Sequence, residues 1–218
     1  MDVRSFTVGP VAENCYVARP DGGERAVIVD PGEEAERILE AVEKLGVAID
    51  AILITHCHFD HIGAVAPVAR ATEAPVYCPQ IEVPVLADVM SYVPWPGFGP
   101  YESYDADRAV AGGEHLSLAG LAIDVLFTPG HSPGHVTYAI PEERSLFSGD
   151  VLFKGSVGRT DLPGGDWDTL LESIRALVEG HPEETTVYPG HMGITTLGAE
   201  RATNPFLREL AHDPPARG

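Results

Sequence analysis

The chain reads as an α/β protein, a β-sheet core with helices packed outside it, and three features predict this. Short apolar runs bounded by Gly and Pro recur along most of the sequence. Two of these runs flank a stretch of helical periodicity, giving a strand–helix–strand unit. Histidines and aspartates follow several of the strand ends, where loops at one edge of a sheet can converge. At 218 residues, with an apolar fraction of 44%, the chain is expected to form a single domain over 1–218.

Residues 3–8 and 15–19 read as strands joined through Gly9-Pro10. Asp21-Gly22-Gly23 then reverses the chain into a buried strand over 26–30 that stops at Pro31-Gly32. Residues 33–46 place Ile38, Leu39, Val42 and Leu45 on one face and glutamates elsewhere, the pattern of a helix lying on a sheet, and Gly46 ends it. A buried strand over 51–54 follows, then a helix over 62–71 kinked at Pro67, then a short strand over 75–78. Residues 79–108 carry Pro84, Pro94, Pro96 and Pro100 and no periodicity. They read as an irregular flap near a substrate mouth, with Tyr92, Trp95, Phe98 and Tyr101 as apolar contacts. Strands resume over 116–118 and 121–127, turning at Gly120, and continue over 136–140 and 145–147. A glycine-rich polar loop occupies 154–161, an amphipathic helix 168–179 and a last strand 186–188. Residues 199–210 read as helical around Pro205, and 213–218 as a fraying end.

A formal net charge of −19, with Lys44 and Lys154 the only lysines, argues against general nucleic-acid binding, which needs clustered cations, and gives a well-solvated surface instead. The first residues hold no apolar h-region and no run approaches a membrane span. A soluble, cytoplasmic protein acting on a small molecule is therefore expected, with its oligomeric state open. Cys15, Cys57 and Cys78, an odd number without CxxC spacing, fit a reducing compartment better than a disulfide framework.

The 51–54 strand runs into Thr55-His56-Cys57-His58-Phe59-Asp60-His61-Ile62-Gly63, which offers four metal-binding side chains within six residues. His56 and His58, two apart in extended chain, point to one side and can reach one ion, while Cys57 points away and packs behind them. Asp60 and His61 are adjacent, so a turn must aim them at a second position. Imidazole and carboxylate together suit zinc or a similar borderline ion. His131 in Thr128-Pro129-Gly130-His131, Asp150 after Ser148-Gly149 and His191 after Pro189-Gly190 each sit where another strand ends. Seven groups suffice for two ions. His115, His181 and His212 read as ordinary histidines without a site.

The ordered set Thr55-His56-x-His58-x-Asp60-His61, Gly130-His131, Gly149-Asp150 and Gly190-His191 resembles the metallo-β-lactamase superfamily over nearly the whole chain. The resemblance implies a four-layer αββα sandwich, two mixed sheets face to face with helices outside. It implies His56, His58 and His131 on one ion, Asp60, His61 and His191 on the other, and Asp150 bridging; His135 matches no ligand position and is read as a packed or supporting residue. Within the superfamily the chain is similar to the short bacterial glyoxalase II group, metal-dependent hydrolases of thioesters such as S-D-lactoylglutathione, and it lacks the C-terminal helical domain of the classical members. That similarity implies two divalent ions, zinc first with iron or manganese as alternatives, generating a hydroxide positioned by Asp60 and Asp150. It also implies Arg159, helped by Lys154, as the contact to a glutathione carboxylate. Persulfide dioxygenases of the same superfamily share Thr55-His56-Cys57-His58, Gly158-Arg159-Thr160-Asp161 and Asn204-Pro205, which implies an alternative with one iron on His56, His131 and Asp150. A non-catalytic metal-binding module is a second alternative.

Overall fold

In a computed structural model that describes residues 1–93 and 95–210, two six-stranded mixed sheets pack face to face. The first sheet runs in sequence order: β1 (Asp2–Val8), β2 (Glu13–Arg19), β3 (Arg25–Val29), β4 (Ala48–Leu53), β5 (Val76–Pro79) and β6 (Arg108–Val110). Its first two pairings are antiparallel and the other three parallel. The second contains β7 (His115–Leu118), β8 (Leu121–Phe127), β9 (Val136–Ile140), β10 (Ser145–Gly149), β13 (Thr186–Pro189) and β14 (Thr195–Thr196), in the order β14-β13-β10-β9-β8-β7. A two-stranded ribbon, β11 (Leu152–Phe153) with β12 (Ser156–Val157), lies between β10 and β13 in sequence.

Side-chain alternation divides the core into three slabs. In β3 and β4, Val27, Val29, Ala51 and Leu53 turn toward the other sheet and meet Ile123, Val125, Tyr138 and Phe147. Their neighbours Ala26, Ile28 and Ile52 face outward onto Ile38 and Val42 of α1 (Ala35–Leu45) and Val65 and Val68 of α3 (Val65–Thr72). On the far side, Ala139, Leu146 and Val187 pack on Leu170, Ile174 and Leu177 of α6 (Trp167–Gly180) and on Leu197 of α7 (Leu197–Thr203). Strands buried on both faces read as continuous apolar runs, which is why period two was masked in the sequence of β3 and β4. The result is the αββα sandwich. No described helix is long and apolar enough to cross a membrane.

Three local expectations need correction. The helix expected over 62–71 is two: α2 (Phe59–Ile62) begins three residues early, and α3 starts at Val65. The break falls at Gly63-Ala64, where the chain is pinned against the end of β3 by Ala64 N–H donating to Pro31 O at 3.0 Å. Pro67 causes no kink, because it lies in the first turn of α3, where the missing N–H would have no helical partner. Residues 79–108 are not irregular throughout. They contain a 3₁₀ turn (Gln80–Glu82) and two short helices, α4 (Val83–Ala87) and α5 (Val89–Tyr92), and run into β6. Phe98 and Tyr101 are tucked down on Phe59, with ring centroids at 4.8 and 5.8 Å. The tail carries α7 and α8 (Pro205–Leu210); His212 and the end over 213–218 lie outside the described residues.

Candidate metal centre

β8, β10 and β13 run in one direction in their sheet, and β4 ends at the same rim in the other. The two sheets are stitched there: Val136 N–H donates to Thr55 O at 2.9 Å, Tyr138 OH to Ile54 O at 2.9 Å, and Asn14 N–H to Gly190 O at 2.7 Å. Loops leaving four strands therefore deliver His56 through His61, His131, Asp150 and His191 to one place, and all seven sequence-predicted groups meet.

His56 Nε2 lies 3.2 Å from His58 Nδ1, His131 Nε2 lies 2.8 Å from the same atom, and the two Nε2 atoms are 3.2 Å apart. The remote ring nitrogens show which tautomers face inward. His131 Nδ1–H donates to Arg159 O at 2.7 Å. Thr55 Oγ1 gives its proton to Asp30 Oδ2 at 2.6 Å, so it accepts from His56 Nδ1–H at 3.1 Å. Both facing Nε2 atoms are thus lone pairs, and lone pairs do not crowd together without a cation between them. Three tetrahedral ligands each about 2.05 Å from zinc would stand roughly 3.3 Å apart, so this trio fits one ion. Burial, then the neighbouring histidines, push the pKa of His56 down; burial, then His131, push that of His58 down to about 4, which leaves neutral rings, the form that ligates.

α2 supplies Asp60 and His61 of the second group in a single helical turn, and the loop after β13 supplies His191. Asp60 Oδ2 lies 3.3 Å from His191 Nε2 and 3.8 Å from His61 Nε2. Asp150 stands between the groups, with Oδ1 3.4 Å from His61 Nε2 and Oδ2 3.5 Å from both His131 and His191 Nε2. Fully buried His61 Nε2 and Asp150 Oδ1 have no hydrogen-bond partner, a costly state that a cation between them would relieve. Burial disfavours a charged His61, but the carboxylates of Asp150 and Asp60 outweigh it and raise its pKa well above the ordinary imidazole value. Burial likewise opposes ionisation of Asp150, yet the charge of His61 beside it holds it far below the usual carboxylate range. The site is a nest of negative charge and imidazole suited to divalent cations.

Several supporting residues were not singled out from sequence. Asp30, at the end of β3, accepts from Thr55 N–H at 2.7 Å and from His61 Nδ1–H at 3.0 Å, orienting ligands of both groups. Its signal was an acid in Asp30-Pro31-Gly32 directly after a buried strand. Glu82 accepts from Cys57 N–H, Ser132 Oγ–H and Gly134 N–H, tying the loop of His56 and His58 to that of His131. Glu13 is wholly buried beside His61 with neither oxygen paired, and burial pushes its carboxyl well up. Neither glutamate had a local signal, since both act across the fold. His135 is a supporting residue: its Nε2 accepts from Asp150 N–H at 3.1 Å, and its ring stacks on His56. Gly190 leaves room for the centre, because a Cβ there would fall 2.6 Å from His61 Cε1 and onto the Asp150 carboxylate. Cys57 packs behind the site, with its Sγ 3.5 Å from Cys78 Sγ. His115 is exposed beside Asp124, and His181 caps its own helix through Leu177 O.

A cavity of about 710 Å3 opens over the centre, reaching His58, Asp60, His131, Asp150 and His191. Tyr92 and Trp95 of the 79–108 segment form part of its wall, as does Arg159. Arg159 is committed elsewhere: Nε and Nη2 each lie 2.6 Å from an oxygen of Asp161, and its guanidinium carbon is 5.8 Å from the Trp95 ring centroid. Lys154 is exposed and is not among the residues lining the cavity.

The profile of the metallo-beta-lactamase superfamily matches residues 8–191. The hydroxyacylglutathione hydrolase GloC of Haemophilus influenzae is 34% identical over 209 residues, covering 95% of this chain and 98% of its own. Two solved structures are each 41% identical. One, titled the BLEG-1 B3 metallo-beta-lactamase, superposes with a TM-score of 0.89 over 94% of this chain and 99% of its own. The other, TTHA1623 in a di-iron-bound form, superposes at 0.83 over 94% and 100%.

Proposed function

The chain belongs to the metallo-beta-lactamase superfamily, a metal-dependent hydrolase family, and within it we propose a dinuclear hydrolase that cleaves thioesters, with S-D-lactoylglutathione as the first substrate to try. The observation that carries this reading is the position of Asp150, which reaches ligands of both groups: its Oδ2 lies 3.5 Å from His131 of one and from His191 of the other, and its Oδ1 lies 3.4 Å from His61 of that second group. His56, His58 and His131 would hold one cation and Asp60, His61 and His191 the second. A di-iron relative supports two occupied positions, and the imidazole-rich donor set accepts zinc, iron or manganese. Bound cations supply Lewis-acid polarisation of a carbonyl and bring the pKa of a water toward neutrality.

The chain's own residues supply orientation. Asp60 and Asp150 are both held ionised, so they accept hydrogen bonds from an attacking water and position it. For the same reason neither donates a proton to a leaving group. Hydrolysis of a thioester forms a C–O bond and breaks a C–S bond, releasing a thiolate whose conjugate acid has a pKa of roughly 8.5, and this departure needs no acid. An amide nitrogen does need one. The site therefore favours thioesters over the amide of a β-lactam, although a 41% identical structure is titled a lactamase.

The test pairs metal analysis of protein purified without added metal with turnover of S-D-lactoylglutathione, a β-lactam and glutathione persulfide. Two metal equivalents per chain and thioester cleavage at least about a hundredfold above β-lactam cleavage are expected, and Asp150→Ala should lose both metal and turnover. A single iron with rapid oxygen uptake on the persulfide would replace this reading with the dioxygenase one.

A further inference from the structure

Eight large hydrophobic side chains are exposed among the described residues, and five of them, Val11, Ile81, Tyr92, Trp95 and Met192, line the one cavity that opens over the ligand cluster. In a chain with a net charge of −19 such clustering marks a surface kept apolar for a ligand. The ionic groups point the same way. Arg159 is the only lysine or arginine lining the cavity, and both guanidinium nitrogens that form its bidentate pair are taken by Asp161. Asp60, Asp150 and Glu82 add negative charge around the same space. A glutathione moiety brings two carboxylates and would meet no unpaired lysine or arginine among the described lining residues, whereas an uncharged group would meet Ile81, Tyr92, Trp95, Phe153, Val157 and Leu162.

We propose that the cavity selects thioesters bearing an uncharged alkyl or aryl group, received by the wall of Ile81, Tyr92 and Trp95, in preference to small hydroxyacyl thioesters of glutathione. This rests on the thioester reading above, and its test separates the two. Trp95 and Trp167 are the only tryptophans, and Trp167 packs edge-to-face with Phe206 and is not among the residues lining the cavity. In the metal-loaded Trp167→Phe protein, Trp95 fluorescence reports binding of uncleavable thioethers: S-methyl, S-butyl and S-hexyl N-acetylcysteamine, and the same series on glutathione. Calorimetry on the unaltered holoenzyme repeats the titrations.

Kd is expected to fall by about fourfold per methylene buried, in line with the transfer free energy of a CH2 group, with no gain from the glutathione carboxylates. Ile81→Ser and Tyr92→Ala should each flatten that dependence. In turnover, an acetyl-to-hexanoyl series on one thiol and an S-alkyl series on one acyl group show which side of the reacting carbonyl meets the wall; a rise in kcat/KM along either series supports the proposal. A Kd independent of chain length, or tighter binding of S-methylglutathione than of S-hexyl-N-acetylcysteamine, overturns it. Chain-length-dependent binding without hydrolysis of any thioester would keep the apolar selectivity and overturn the hydrolase reading instead.

Discussion

His58 and His61 lie in one cluster yet their pKa values move in opposite directions. Burial and then His131 push His58 down to about 4, while Asp150 and Asp60 overcome burial and raise His61; Asp60 and Asp150 likewise raise His191 against the cost of burial. A raised pKa means that a proton occupies the ligand nitrogen at higher pH, so a cation must displace it, and falling pH favours the proton. At limiting free metal, the Asp60, His61 and His191 position is therefore expected to lose its equivalent at a higher pH than the His56, His58 and His131 position as pH falls. Metal content of protein dialysed across a pH series checks it; loss of both in one step would contradict the assignment. At this scale the sequence was informative about ligand identity, since His56, His58, Asp60 and His61 declare themselves by spacing. It was silent on Glu13, which is buried beside His61, and on Glu82, whose partners lie in two separate loops. It left the part played by Arg159 and Lys154 open; the structure pairs Arg159 with Asp161 and leaves Lys154 exposed, outside the residues that line the cavity.

Gly130 shows how an element constrains a ligand. It adopts φ +128°, and a Cβ there would overlap the backbone of Leu170 in α6, so the glycine before His131 lets the ligand loop lie directly against that helix. Asp166 N–H donates to Gly130 O at 2.8 Å, and its side chain caps α6 by accepting from Thr169 N–H at 2.8 Å. Gly130→Ala is expected to destabilise the protein by about 2 kcal/mol, the usual scale for overpacking and backbone strain, and to lower metal content by shifting His131. Denaturant unfolding and metal analysis would show this, and an unchanged midpoint would refute the packing argument. Elements with one dominant period, such as α1 and α6, were legible in the sequence. The 62–71 helix and the 79–108 segment were misread because a glycine pressed against Gly32 and Tyr101 and three short helical turns follow tertiary packing rather than periodicity.

For the whole molecule, the charge of −19 sets how substrates arrive. An anionic thioester such as S-D-lactoylglutathione is repelled, so its kcat/KM should rise about two- to threefold between 10 and 200 mM salt as screening sets in. An uncharged N-acetylcysteamine thioester should stay flat, and equal salt dependence for both would exclude electrostatic repulsion from the rate. By itself the sequence determined a sheet core with helices outside it and the seven candidate groups of the centre, because strand and helix patterning and the donor chemistry of His and Asp are local properties; the αββα arrangement came only with the family resemblance that those groups carry. Only the tertiary structure decided that Asp30 and Glu82 brace the ligands, and that Tyr92 and Trp95, rather than Phe98 and Tyr101, line the mouth. Those features arise where chain segments distant in sequence meet, and which side chains neutralise, bury or expose one another is set by contact in space.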